Sequence, residues 1–207
     1  MKGINRYDQI REGIQHNFSM GRDLDGMIKE ATDHEIPKPC VFLSHKSEDK
    51  GAVIDVAKYL SDAGVNYYLD VNDPNLQLAV NNNDHKKITD FIELGINNST
   101  HVLSIISDKT KSSWWVPFEI GYGKRGDKNL ALLPLKEVNH VPSYLSIIPK
   151  LDGIKQLNDY IESIKSSTIV LSKSASANLL EMIEALTNKT ICFSNTAHPL
   201  ANHLKRL

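Results

Sequence analysis

The residues best suited to chemistry cluster in one stretch, SSWWVPFEIGYGKRG, at 112–126. It holds two adjacent tryptophans, a proline and an acid, Glu119, set among apolar neighbours. Taken singly, each has a plain structural use. Trp114 and Trp115 can anchor a core, Pro117 fits the opening of a helix, and Glu119 can offset a helix macrodipole if it lies in the first turn. Taken together they imply more. Trp115 and Glu119 are four residues apart, so on a helix they share a face one turn from each other. An aromatic wall beside a partly desolvated carboxylate suits a ribose-bearing ligand, and the carboxylate would stabilise an oxocarbenium-like transition state. Of the two tryptophans, Trp114 is the one expected to do nothing but pack.

Other chemistries fit poorly. There is no G-x-G-x-x-G and no G-x-x-x-x-G-K, and GYGKRG at 121–126 follows a helix start where a phosphate loop would follow a strand. Ser44 and His45 are neighbours on an expected strand and point to opposite faces, which excludes them as a nucleophile and its base. Cys40 and Cys192 form neither a C-x-x-C motif nor a disulfide framework, and no two histidines stand at a helical metal-site spacing, so no metal is expected. Lys plus Arg is 24 against 25 for Asp plus Glu, so net charge does not advertise nucleic acid or an anionic membrane. The chain has no apolar run long enough to span a bilayer, and its amino terminus lacks the apolar core of a secretion signal. These features read as a cytoplasmic protein.

The elements that must position Glu119 follow from hydrophobic patterning. Residues 1–38 read as a helical arm in two pieces, with Ile4, Tyr7, Ile10 and Ile14 in one and Leu24, Met27, Ile28 and Ala31 in the other. From 39 to 166, short apolar runs alternate with amphipathic helices. The expected strands are CVFLS (40–44), VNYYLD (65–70), THVLSIIS (100–107), NLALLPLK (129–136) and a weak fifth, KLDGI (150–154). VNDPNLQLAVNNND at 71–84 reads as a polar loop. Pro134 is expected at a sheet edge or strand end. Residues 167–207 form an extension with one further helical pattern around Leu179, Leu180, Ile183 and Leu186. Nearly continuous apolar strands separated by helices imply a doubly wound α/β domain with a parallel sheet. Ligands in such sheets bind beyond the carboxyl ends of the strands, which selects Ser44–Asp49, Asp70–Asp84, Ser107–Glu119 and Leu135–Tyr144.

The ordered set CVFLSHKSEDK (40–50), YYLD (67–70), STHVLSIISDKTKSSWWVPFEIGYG (99–123) and LALLPL (130–135) resembles the successive motifs of a TIR (Toll/interleukin-1 receptor) domain. That resemblance implies a flavodoxin-like fold with five parallel strands over 39–166. Many members cleave NAD at the nicotinamide–ribose bond, with NAD as substrate and no separate cofactor, and release ADP-ribose or a cyclic or otherwise modified form. The family's catalytic glutamate falls on Glu119 and the preceding tryptophan on Trp115, with Ser44, His45, Asp70 and Ser107 as expected substrate contacts. The loop at 71–84 would gate the site and mediate TIR–TIR assembly into a homo-oligomer. It departs from the family in lacking a glycine near its tip, where Asn81, Asn82 and Asn83 stand instead. Asparagine tolerates positive φ and can replace that glycine in the turn. The chain resembles the free-standing bacterial defence type, such as the TIR component of Thoeris anti-phage systems, whose nucleotide product activates a separate effector. Three other readings compete: a non-catalytic TIR–TIR scaffold, a nucleoside deoxyribosyltransferase-like enzyme and a response-regulator receiver. The order of the F-L-S-H and S-S-W-W motifs opposes the second. The third lacks a convincing lysine after LALLPL.

Overall fold

The computed structural model describes residues 2–11, 39–69, 71, 74–138, 140–173 and 198–206. Its regular elements are β1 (Cys40–Ser44), α1 (Lys50–Asp62), β2 (Asn66–Tyr68), α2 (Pro74–Asn81), α3 (His85–Asn97), β3 (His101–Ile106), α4 (Trp115–Arg125), β4 (Asn129–Pro134) and α5 (Ile154–Lys173). Short 3-10 turns cover Ser47–Asp49, Asp108–Ser112 and Ser143–Leu145. The strands form one parallel sheet in the order β2-β1-β3-β4. Both faces are covered, so all of β1 and most of β3 are buried, as their unbroken apolar runs require.

The sheet has four strands where five were expected. The fifth segment pairs at one residue, through a parallel bridge between Leu132 and Lys150. The Leu132 N–H donates to Pro149 O at 2.9 Å and the Leu151 N–H to Leu132 O at 2.8 Å. Pro149 has no N–H to extend the ladder backwards. Gly153, at φ 110°, turns the chain into α5 before the ladder can extend forwards. Asn5 makes a similar bridge to Tyr67 on the outer side of β2. The Asn5 side chain then acts as a further strand residue, donating from Nδ2 to Leu69 O at 3.0 Å and accepting the Leu69 N–H at 3.1 Å. Both edges of the sheet are thereby partly covered.

α1 and α5 cover one face with an aliphatic cluster that includes Leu43, Leu103, Ile105 and Leu133 from the sheet and Leu60, Leu157 and Ile161 from the helices. Residues 198–206 return to this face. Leu200 and Leu204 are fully buried there, and the Ile154 N–H donates to Lys205 O at 3.0 Å. α3 and α4 cover the other face. Phe42, Tyr68 and Val102 meet Ile88, Ile92 and Ile96 of α3 in one cluster, while Ile106 and Leu132 meet Val116 and Ile120 of α4 in another. Gly123 lets α4 lie close to the sheet, because a Cβ there would stand 3.0 Å from Val102 Cγ2 and 3.2 Å from Leu130 Cδ2.

Residues 71–84 are not simply a loop, since they contain α2, where Ala79 is buried and Leu78 and Val80 are exposed. The turn after α2 carries Asn83 at φ 54°, so asparagine does supply the positive φ that a glycine would otherwise provide. Pro134 ends β4, and the expected second piece of the amino-terminal arm and the helix around Leu179 lie outside the described residues. α5 continues to Lys173, past the expected start of the carboxy-terminal extension at 167. No described helix is long and apolar enough to cross a membrane.

Candidate active site

The strand order reverses direction between β1 and β3, since the chain moves outward to β2 on one side and to β4 on the other. That switch point opens a crevice beyond the carboxyl ends of the two strands. Ser44 is the last residue of β1 and Ser107 follows β3, so both reach it, and α4 begins beside it.

Ser113 starts α4 by accepting the Val116 N–H on its Oγ at 3.2 Å, the bond that a capping serine makes. Pro117 sits third in the helix, where no intrahelical N–H bond is forfeited. Glu119 is the fifth residue, beyond the first turn, so an offset to the macrodipole does not account for it. Its side chain is instead directed inward. Glu119 is 7% exposed, and the fully buried Ser44 donates from Oγ to Glu119 Oε2 at 2.5 Å. A buried carboxylate is costly unless hydrogen-bonded, and the Ser44 hydroxyl supplies such a bond. The pairing of Ser44 with Glu119 joins the end of β1 to α4 across 75 residues of sequence.

The other expected residues divide. Trp115 is half-buried and meets Phe118 edge-on, with ring centroids 6.1 Å apart. Both rings pack against the cluster that includes Phe42, Val102 and Ala79. Trp114, expected to pack, is 90% exposed. Its position just before the first helical residue turns it away from the face that Val116 and Glu119 bury. His45 is half-buried and donates from Nδ1 to Leu43 O at 3.0 Å, because a carbonyl can only accept. Ser107 donates from Oγ to Asp49 Oδ2 at 2.5 Å. It also accepts the Lys109 N–H on Oγ and donates its own N–H to Thr110 Oγ1, forming a local capping box. Asp70 lies outside the described residues.

Sequence reasoning placed Asp49 at the end of the crevice segment Ser44–Asp49 but missed the part it plays. Asp49 is 7% exposed, accepts from Ser107, and has Lys109 Nζ 3.7 Å from its Oδ1. Lys46 Nζ donates to Ser112 Oγ at 2.5 Å and lies 3.3 Å from Glu48 Oε1. These bonds clasp the loop after β1 to the loop after β3 and fix the crevice rim. The available signal was the acidic pair Glu48-Asp49 so soon after a strand, but only the fold brings Ser107 to it. Cys40 is a poor candidate nucleophile, because burial pushes its thiol up to about 11. Among the described residues no cluster of His, Cys, Asp and Glu is arranged to hold a metal ion. The arrangement thus offers the buried Glu119 carboxylate with the Ser44 hydroxyl on it, a polar rim fixed around Asp49 and an aromatic shoulder. That set can bind sugar hydroxyls and stabilise positive charge at a ribosyl carbon.

The family model described as "TIR domain" matches residues 41–165, more than half of the chain. Among solved structures, the chain is similar to the TIR domain of the Toll-related receptor TRR-2 from Hydra magnipapillata, at 17% identity and a TM-score of 0.42, over 53% of this chain and 82% of that one. No curated protein matches.

Proposed function

The chain belongs to the TIR domain family, and on that premise we propose that it cleaves NAD at the nicotinamide–ribose bond. The observation that carries this reading is the buried Glu119 carboxylate, held by Ser44 at the switch point of the sheet. In the proposed reaction the C–N bond to nicotinamide breaks, and its electron pair leaves with neutral nicotinamide. Positive charge develops on the ribosyl carbon and ring oxygen. Glu119 stabilises that charge from within a poorly solvated crevice, where a fixed carboxylate acts more strongly than in water. Water or a nucleophile within the substrate then captures the cation, giving ADP-ribose or a cyclic form. Trp115 walls the site, and the half-buried His45 contributes from the end of β1. The resemblance of the ordered motifs to bacterial defence TIR proteins supports a further reading, that the product is a signal in anti-phage defence and activates a separate effector in the cytoplasm.

A second reading, assembly without catalysis, is favoured by a different observation. Trp114 is 90% exposed, Ile147 68% and Leu78 59%, and apolar side chains so exposed favour association with another copy of the chain. Incubation of concentrated purified protein with NAD, followed by mass spectrometry, tests the enzymatic reading and identifies the product. Nicotinamide together with ADP-ribose or its cyclic form is the expected result. Unchanged NAD alongside concentration-dependent oligomers would favour the scaffold.

A further inference from the structure

Beside the Ser44–Glu119 pair lies a buried group that the proposed chemistry does not yet use. Ser104 is 1% exposed, and its Oγ has no hydrogen-bond partner among the described residues. Leaving a buried hydroxyl unpaired costs about 1–3 kcal/mol, so it calls for an explanation. Two independent lines place it under Glu119. The first is strand register. Ser44 and Ser104 are paired across β1 and β3, and paired residues on neighbouring parallel strands project from the same face, about 4.8 Å apart. The second is helix packing. β3 and β4 are parallel, so α4 between them must run back against the strand direction. Gly123 of α4 lies against Val102 of β3. Glu119 is four residues earlier in α4, about 6 Å further toward the carboxyl end of the strands. Ser104 is two residues after Val102, about 6.6 Å in the same direction and on the same face. Glu119 and Ser104 therefore come level.

We propose that Ser104 is a positioning residue for Glu119, providing a second seat for its carboxylate. At rest the carboxylate is held by Ser44. When a ribose hydroxyl engages Ser44 or the carboxylate oxygen it holds, the carboxylate turns over β3 and accepts a hydrogen bond from Ser104. The buried charge then keeps a donor throughout. No covalent bond changes; one hydroxyl donor replaces another. The functional meaning of this movement rests on the proposed role of Glu119, but the two seats themselves do not.

The test separates the two. In protein labelled with ¹³C at the glutamate carboxyl, the Glu119 resonance is assigned by its loss in Glu119→Gln. It is then followed in Ser44→Ala, Ser104→Ala and the double variant, with no substrate present. The expected result is strong coupling: Ser104→Ala scarcely moves the resonance alone but moves it markedly in the Ser44→Ala background, where the carboxylate turns to Ser104. Ser104→Thr, which keeps the hydroxyl, should behave as wild type. In the NAD assay Ser104→Ala should lower kcat roughly tenfold with KM unchanged, the loss expected of one hydrogen bond to a charged group. A resonance indifferent to Ser104 in both backgrounds, with a raised melting temperature in Ser104→Ala, would overturn the second seat. Coupling without NAD turnover would leave the seat standing and remove only the NAD reading.

Discussion

The two faces of the sheet are built from the same strands and differ sharply. On the face covered by α1 and α5, Leu43, Leu103, Ile105 and Leu133 meet other aliphatic side chains. On the opposite face, one residue along β1 and β3, stand Ser44 and Ser104, with Glu119 brought down from α4. Filling those two positions with leucine or valine would add apolar burial, at about 25 cal/mol per Å² of buried surface. The difference teaches a division of labour in which one face supplies stability and the other gives up some of it to keep polar groups dry at the crevice. Stability and activity should therefore respond separately to changes on the two faces.

The largest effect on stability should come from the aliphatic face. Leu103→Ala is expected to cost about 2–5 kcal/mol in urea unfolding, with activity per folded molecule unchanged. Gly123→Ala would blur the comparison, because the added Cβ meets Val102 and Leu130 and lifts α4 away from the sheet. A loss of about 1–3 kcal/mol is expected together with reduced NAD turnover, since Glu119 rides on the displaced helix.

A pH-dependent effect below neutrality is expected on the aliphatic face. His101 opens β3, lies edge-on to Tyr160 of α5 with centroids 5.9 Å apart, and burial holds its pKa down at about 4. The unfolded chain takes up this proton near pH 6.5, so it binds more protons than the native state between pH 6.5 and 4. Stability should consequently fall as pH drops through that window. The ring is only partly buried, so the loss is discounted to about 1–2 kcal/mol. Urea titrations at pH 7 and pH 4.5 should show a smaller difference in His101→Gln than in wild type. The smallest effect is expected of Trp114→Ala, within about 0.5 kcal/mol by thermal melting, because its ring is exposed.

The stability-bearing face was the more legible in the sequence. Runs such as CVFLS and HVLSII announce buried strands whatever they pack against, and the helical spacing of Leu157, Ile161 and Ile164 is local information. The weak fifth strand was overextended, because KLDGI has apolar content but follows Pro149 and contains the positive-φ Gly153. α2 was read as a loop because its flanks carry the proline and asparagines that usually mark one. At the crevice, the placement of Trp115 and Glu119 on one helix and of Ser44 at a strand end was legible from spacing and patterning. The burial of Asp49 and its bond to Ser107 were not, since they depend on two loops 58 residues apart meeting at the rim. Trp114 was misassigned because composition cannot tell which of two adjacent tryptophans a helix start turns outward. Ser104 looked like an ordinary polar residue within an apolar strand until its register with Ser44 was fixed.

The central claim is that the buried Glu119 carboxylate stabilises a ribosyl cation. The most direct test is nicotinamide release from NAD by wild-type protein and by Glu119→Gln, which keeps the shape and a hydrogen-bonding group toward Ser44 but removes the charge. The account predicts a loss of at least about a hundredfold in kcat, with folding and NAD binding retained. Equal release by the two proteins would contradict it.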